Sequence, residues 1–170
     1  MVDLQSLREL AQKATWDTVR PPLKIYIASS WRNPYQPFVV RELRHHGHQV
    51  YDFRAPSSED TGFSWREVDP NWERWTAEQY AAGLEHPAAV RGHKNDMNAL
   101  NWCDVCVLVL PSGRSASWEL GYAMGKGKSA IVHMPDKCEP ELMYRGATIV
   151  DRLPDLVLAL EALARLRGAE

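Results

Sequence analysis

The chain has 170 residues, of which 45% are hydrophobic and 25% charged, with a net charge of −2 and an isoelectric point near 6.3. That length suffices for one well-cored domain and is short for two. The near-neutral balance offers no basic face for a nucleic-acid polymer or an anionic membrane, so the expected ligand is a small molecule. Three cysteines, an odd number, and the lack of a secretory signal argue for a reducing, cytoplasmic setting and against a disulfide framework. The longest apolar run, Val105 to Leu110, falls far below the ~20 residues a membrane-spanning helix needs.

Leu4, Leu7, Leu10, Ala11 and Ala14 recur at helical spacing, and Pro21 and Pro22 close the segment, which predicts an N-terminal helical arm over residues 1–20. Residues 21–170 read as one α/β domain. Leu23 to Ala28 predicts a strand, Tyr35 to His46 a helix ended by Gly47, and Gln49 to Phe53 a second strand. A polar stretch from Arg54 to Thr76 precedes helical segments over 77–83 and 87–102. A strand at 105–110, a helix at 117–126 and a strand at 129–133 follow. After a short acidic segment around Glu139 to Tyr144 come a strand at 147–150 and an amphipathic helix at 154–167. Five strands with helical crossovers imply a doubly wound, five-stranded parallel sheet, flavodoxin- or Rossmann-like.

In such a sheet ligands sit where strands end and helices begin. Ser29, Ser30, Trp31 and Arg32 follow the first strand, Asp52 ends the second, and Ser112, Gly113, Arg114 and Ser115 lead from the third toward Glu119, which is expected in the first turn of the next helix. A dinucleotide fold needs glycines in its first turn, and ASSWRN has none, which argues against a dehydrogenase. GKGKS at 125–129 has Tyr122 where a phosphate loop needs glycine, and it precedes a strand instead of following one. Cys103 and Cys106 have metal-ligand spacing, but Cys106 lies inside an apolar strand without a second close pair, so both read as packing. His45, His46 and His48 read as surface and helix-end residues. Neither a metal nor a cofactor is expected.

The segments KIYIASSWR, KNDMNALNWCD, VCVLVLP and SWELGYAMGKGK together resemble the nucleoside 2-deoxyribosyltransferase family and its relatives that hydrolyse nucleotide N-glycosidic bonds, over residues 24 to about 150. The resemblance implies that Glu119 is the nucleophile, that Asp96 serves near the leaving base and that Tyr26 holds the nucleophile. It also implies a homodimer or larger homo-oligomer, with PELMY at 140–144 resembling the region that completes a neighbouring pocket and Glu141 at the candidate position. Where several transferases carry a further acid, six residues before the nucleophile, this chain has Gly113; relatives that take 5′-monophosphates use small polar residues there.

The chemistry matches those residue types. Breaking a C1′–N bond develops positive charge on the sugar and negative charge on the base, which calls for a carboxylate beneath the sugar and a proton donor near the base. Attack by Glu119 would form a covalent glycosyl-enzyme, and a second displacement by another base or by water would give net retention. The simpler readings are that Glu119 complements a helix dipole, Asp96 is a solvated helix residue and Tyr26 packs a strand. SGRS either makes a turn and cap or meets a phosphate. Trp65, Trp72 and Trp75 either bury a long crossover or stack on a base. Competing functions are a TIR-like domain that cleaves the nicotinamide bond of NAD or mediates signalling assembly, and a catalytically silent nucleotide-binding module.

Overall fold

The structure, a computed structural model, describes residues 21–168 together with Gln5 and Glu9. The remainder of the helical arm expected over 1–20 lies outside the described residues. In chain order the elements are β1 Lys24–Ala28, α1 Gln36–His45, β2 Gln49–Asp52, α2 Ala77–Leu84, α3 Pro87–Trp102, β3 Val105–Val109, α4 Arg114–Gly125, β4 Ser129–His133, β5 Thr148–Val150 and α5 Leu153–Gly168. The expected doubly wound α/β fold is present: a five-stranded parallel sheet in the order β2-β1-β3-β4-β5. Two compact units make up the chain, a sheet unit reaching Tyr51 and resuming at Cys103, and a helical unit, Asp52–Trp102.

Alternation along the strands divides the sheet unit into two packed faces. On one, Ile25, Ile27, Val105, Val107, Ile131 and Val150 meet Val39, Val40 and Leu43 of α1 and Leu156, Ala159 and Leu160 of α5. Helix α1 forms because its buried Val39, Val40 and Leu43 make one apolar stripe below a buried Gln36, with a proline in its first turn and Arg44 and His45 complementing its C-terminal dipole. The opposite face carries Tyr26, Cys106, Leu108 and Val132, all buried, and is where α4 lies against β1, β3 and β4 through Ala116, Leu120 and Ala123. The uninterrupted apolar run of β3 is what a strand covered on both faces requires, and all five of its residues are buried.

The sequence GKGKS has a structural explanation. Gly127 adopts φ 73°, its N–H donates to Met124 O at 2.9 Å and the Lys128 N–H donates to Ala123 O at 3.0 Å. This is a Schellman stop that turns α4 into β4 and uses glycine where a Cβ would be strained. At the N-terminal edge of the sheet, Lys24 N–H donates to Asp104 Oδ2 at 2.8 Å, Asp104 N–H donates to Lys24 O at 2.7 Å, and Arg167 pairs with Asp104. These bonds tie β1 to the approach to β3 at the edge away from the loops that carry the candidate residues.

His133 ends β4 on the face shared with Ile131 and is 3% exposed. Its Nδ1 is buried with no hydrogen-bond partner among the described residues. Burial lowers its pKa, against opposing contributions from the Val150 backbone and Asp151. In this window the unfolded chain takes up a proton that the native imidazole refuses, so stability rises with pH and falls on acidification from the ordinary value of about 6.5 down to the folded pKa. The melting temperature is therefore expected to drop between pH 7 and pH 5, and His133→Phe should flatten that drop. Equal slopes for parent and variant in calorimetry would rule His133 out as the source.

Candidate active site

Strand β2 lies on one side of β1 and β3 on the other, so the connections diverge between β1 and β3. In an open parallel sheet this switch point opens a crevice at the C-terminal strand ends. The loops after β1 and β3 are locked together there by a residue the sequence did not single out, Asn33, which is 1% exposed. Its Nδ2 donates to Val109 O at 2.9 Å and to Pro111 O at 3.0 Å, while its Oδ1 accepts from the N–H groups of Tyr35 at 2.7 Å and Gln36 at 3.2 Å. All four hydrogen-bonding positions of the amide are thereby used, two of them on the entry to α1. The only local signal was an Asn-Pro pair ahead of a helix, which also reads as an ordinary turn.

Ser29 reinforces the tie, its Oγ donating to Val109 O at 2.8 Å. Ser30 shapes the turn: its Oγ accepts from Arg32 N–H at 3.2 Å and its carbonyl from Asn33 N–H at 3.0 Å. Trp31 and Arg32 are exposed at the tip of this loop. The Tyr35 hydroxyl donates to Asp136 Oδ2 at 2.5 Å, linking the start of α1 to the loop beyond β4, and this bond raises the Tyr35 pKa.

Glu119 differs from the sequence expectation in one respect. Helix α4 begins at Arg114, three residues before the expected start, with Gly113 as an extended N-cap and no acid in the first turn. Ser112 and Gly113 make the turn, Arg114 and Ser115 are the first helical residues, and Glu119 stands in the second turn. The dipole acts mainly over the first turn, so Glu119 stands beyond its main reach. The extended backbone at Gly113 allows the helix to begin early, although SGRSAS is rich in turn-forming residues.

Glu119 is half-buried on the α4 side of the sheet, where the carboxylate influences a buried thiol. The Cys106 pKa is pushed well up by burial first, then by electrostatic contributions from Cys103 and Glu119. Cys106 pairs in register with Tyr26 across β1 and β3, and in-register neighbours in a parallel sheet point to the same face. A carboxylate, a neutral thiol and a buried phenol ring thus occupy one face of the sheet. Tyr26 also stacks on Tyr51, with ring centroids 5.3 Å apart and planes at 18°. Cys103, its pKa pushed up to about 11 mainly by burial, is likewise held as a thiol and not as the thiolate a metal would bind.

On its outer side α4 presents Trp118 stacked on Tyr122 at 5.5 Å, with Lys126 over the Tyr122 ring at 5.6 Å. Ser117 Oγ and Tyr144 OH lie 3.4 Å apart, joining α4 to a 3-10 turn, Leu142–Gly146. Glu141 precedes this turn and is exposed. Beside it Leu142 and Met143 are 82% and 80% exposed.

The remaining candidates belong to the helical unit. Asp52 begins it, half-buried, with Oδ1 accepting from Arg54 N–H at 3.0 Å and its carbonyl from Ala55 N–H at 3.0 Å. Asp96 is half-buried midway along α3. Two capping boxes organise the preceding stretch: Ser64 with Glu67, opening a 3-10 turn at Trp65–Glu67, and Thr76 with Gln79, opening α2. Trp65 meets Phe63 at 4.8 Å and 81°, Trp75 at 5.5 Å and 79°, and Tyr80 at 5.7 Å and 54°. A Cβ at Gly83 would come within 2.6 Å of the Trp75 ring, and one at Gly92 within 2.7 Å of Phe63. Much of the aromatic set therefore packs this crossover together.

No family model matches the chain, and no curated protein matches it. Among solved structures it is similar to a 2-deoxyribosyltransferase from the psychrotolerant bacterium Bacillus psychrosaccharolyticus, with 24% identity and a TM-score of 0.47, over 78% of this chain and 88% of that one. Among the described residues no helix is long and apolar enough to cross a membrane.

Proposed function

We propose that this protein cleaves or transfers the N-glycosidic bond of a deoxynucleoside, nucleoside or nucleoside 5′-monophosphate through a covalent glycosyl intermediate on Glu119. The observation that carries the reading is the position of Glu119: half-buried, its charge felt by Cys106, on the sheet face that also bears Tyr26. The ELGYA motif and the upstream Asp96 support it from the sequence.

In the first step a Glu119 carboxylate oxygen bonds to C1′ while the C1′–N bond breaks, its electron pair passing to the base nitrogen and a proton passing from Asp96 to the base. In the second, a new base or water attacks C1′, the C1′–O bond to Glu119 breaks with its pair returning to the carboxylate, and the Asp96 carboxylate takes the proton of the incoming group. Two inversions give net retention. Tyr26 is a positioning residue that orients the carboxylate. Ser29 and Ser30 hold the loop beside the sugar, with Trp31, Arg32 and Asp52 around it. A partner copy covers Leu142 and Met143 and presents Glu141 to the pocket; the exposure of that apolar pair supports this assembly.

Recognition of a 5′-phosphate is assigned to the turn and helix start at the N-terminus of α4, where Ser112, Gly113, Arg114 and Ser115 combine small residues, hydroxyls and one guanidinium. Assay of deoxynucleosides, ribonucleosides, their 5′-monophosphates and NAD, with and without acceptor base, tests both parts. Base release or exchange is expected from at least one nucleoside or nucleotide; turnover of NAD alone, or of none of them, would overturn the reading. Arg114→Ala should lower kcat/KM on monophosphates by about 10- to 100-fold, the value of one charged hydrogen bond, and leave free nucleosides unaffected. Equal losses on both would contradict the phosphate assignment.

A further inference from the structure

Within the helical unit the aromatic residues do more than pack on one another. Trp65, Trp72, Trp75 and Tyr80 line an open surface pocket of about 320 Å³, and Glu73, itself exposed, is the one charged side chain among its lining residues. Trp72 and Glu73 come from a single 3-10 turn, Trp72–Arg74, so a ring and a carboxylate are delivered to the same opening.

Three features decide what such a cavity takes. The first is ring geometry. Trp65 meets Trp75 at 79° and Tyr80 at 54°, so these walls form corners and not the pair of parallel faces that sandwiches a planar base. The second is electrostatic. Indole and phenol faces are negative, and Glu73 adds a full negative charge with no lysine or arginine on the wall to offset it. Behind the cavity, Trp75 Nε1 donates to Asp69 Oδ2 at 2.7 Å, and Asp69 is held below its ordinary pKa by the Asn71 backbone N–H and then by this indole. The Trp75 ring thus leans on a carboxylate that stays ionised. The third is pairing: Glu73 is exposed beside the rings, so a cation seated there gains its attraction while a neutral apolar guest gains none.

We propose that this cavity is a binding site for an alkylated ammonium group, the compact cation that meets several aromatic faces and one carboxylate at once. The proposal does not rest on the chemistry assigned to Glu119 and needs no turnover to be observed. The rings supply cation–π attraction and the apolar surface for the alkyl groups, and Glu73 supplies charge.

Choline is the probe, with 3,3-dimethylbutan-1-ol as its neutral isostere, each titrated into the protein by calorimetry and followed by NMR of the indole and Tyr80 ring signals. Choline is expected to bind saturably and to shift those signals, with the neutral alcohol about tenfold weaker. Trp72→Ala and Glu73→Gln should each weaken choline binding about fivefold or more, with the far-UV spectrum and melting temperature of Glu73→Gln unchanged. Equal affinity for choline and the alcohol would reduce the cavity to an apolar hollow and overturn the proposal. So would the absence of any saturable shift with choline, or a free nucleobase that moves the same ring signals while choline does not.

Discussion

Replacing Glu119 with alanine is expected to lower kcat by at least about 10³-fold on whichever nucleoside or nucleotide the protein accepts, the scale of losing a nucleophile. Glu119→Gln should be almost as impaired, because the amide keeps the shape but cannot bond to C1′ as a carboxylate does. Both variants should fold, since α4 is anchored through Ala116, Leu120 and Ala123 and Glu119 itself is only half-buried. Steady-state rates measured beside melting temperatures separate the two effects. Undiminished turnover by Glu119→Gln would contradict the assignment, and so would an inverted product from the parent, which would point to direct displacement by water.

The largest effect on stability is expected at Asn33. Truncation to alanine removes four hydrogen bonds, leaves Val109 O to Ser29 Oγ alone, and strands the Pro111 carbonyl and the amides of Tyr35 and Gln36. A buried amide with these partners should cost roughly 3 kcal/mol, which for a chain of this size lowers the melting temperature by about 6–12 °C. Ser30→Ala, which removes the bond that Arg32 N–H donates to a half-buried hydroxyl, should cost less, about 1 kcal/mol. Comparable melting temperatures for the two variants would show that Asn33 does not lock the loops. Because Asn33 joins the two loops at the switch point, its loss should also lower kcat/KM without any contact to substrate.

The sheet was readable because its strands are apolar runs bounded by turn residues, and β3, covered on both faces, is apolar along its full length. Gly127 takes positive φ where the chain leaves α4, inside a GKGKS segment that reads as an incomplete phosphate loop, and the stop of α1, at Gly47, was readable. The start of α4 was not. SGRSAS is composed of turn formers, and only the extended backbone at Gly113 brings Arg114 and Ser115 into the helix. Asn33 escaped for another reason: its amide bonds residues 76 and 78 positions away, and no local pattern encodes that pairing. At the candidate site, Glu119 was singled out by its place after a strand and a turn, and Tyr26 by the family resemblance. The thiol of Cys106 beside Tyr26 emerged only from the strand register. The capping boxes of Ser64 with Glu67 and Thr76 with Gln79 were written in the sequence as local patterns, whereas the corner geometry of the tryptophans depends on how Gly83 and Gly92 admit the rings.

The central claim is a bond between sugar and Glu119. Mixing the protein with a deoxynucleoside or its 5′-monophosphate, quenching in acid on the time scale of turnover and analysing peptides by mass spectrometry tests it directly. A mass gain equal to the sugar moiety on the peptide carrying Glu119, absent from Glu119→Gln, is the predicted result. Base release by the parent with no sugar on any peptide at any quench time, or with sugar attached to a different residue, would contradict it.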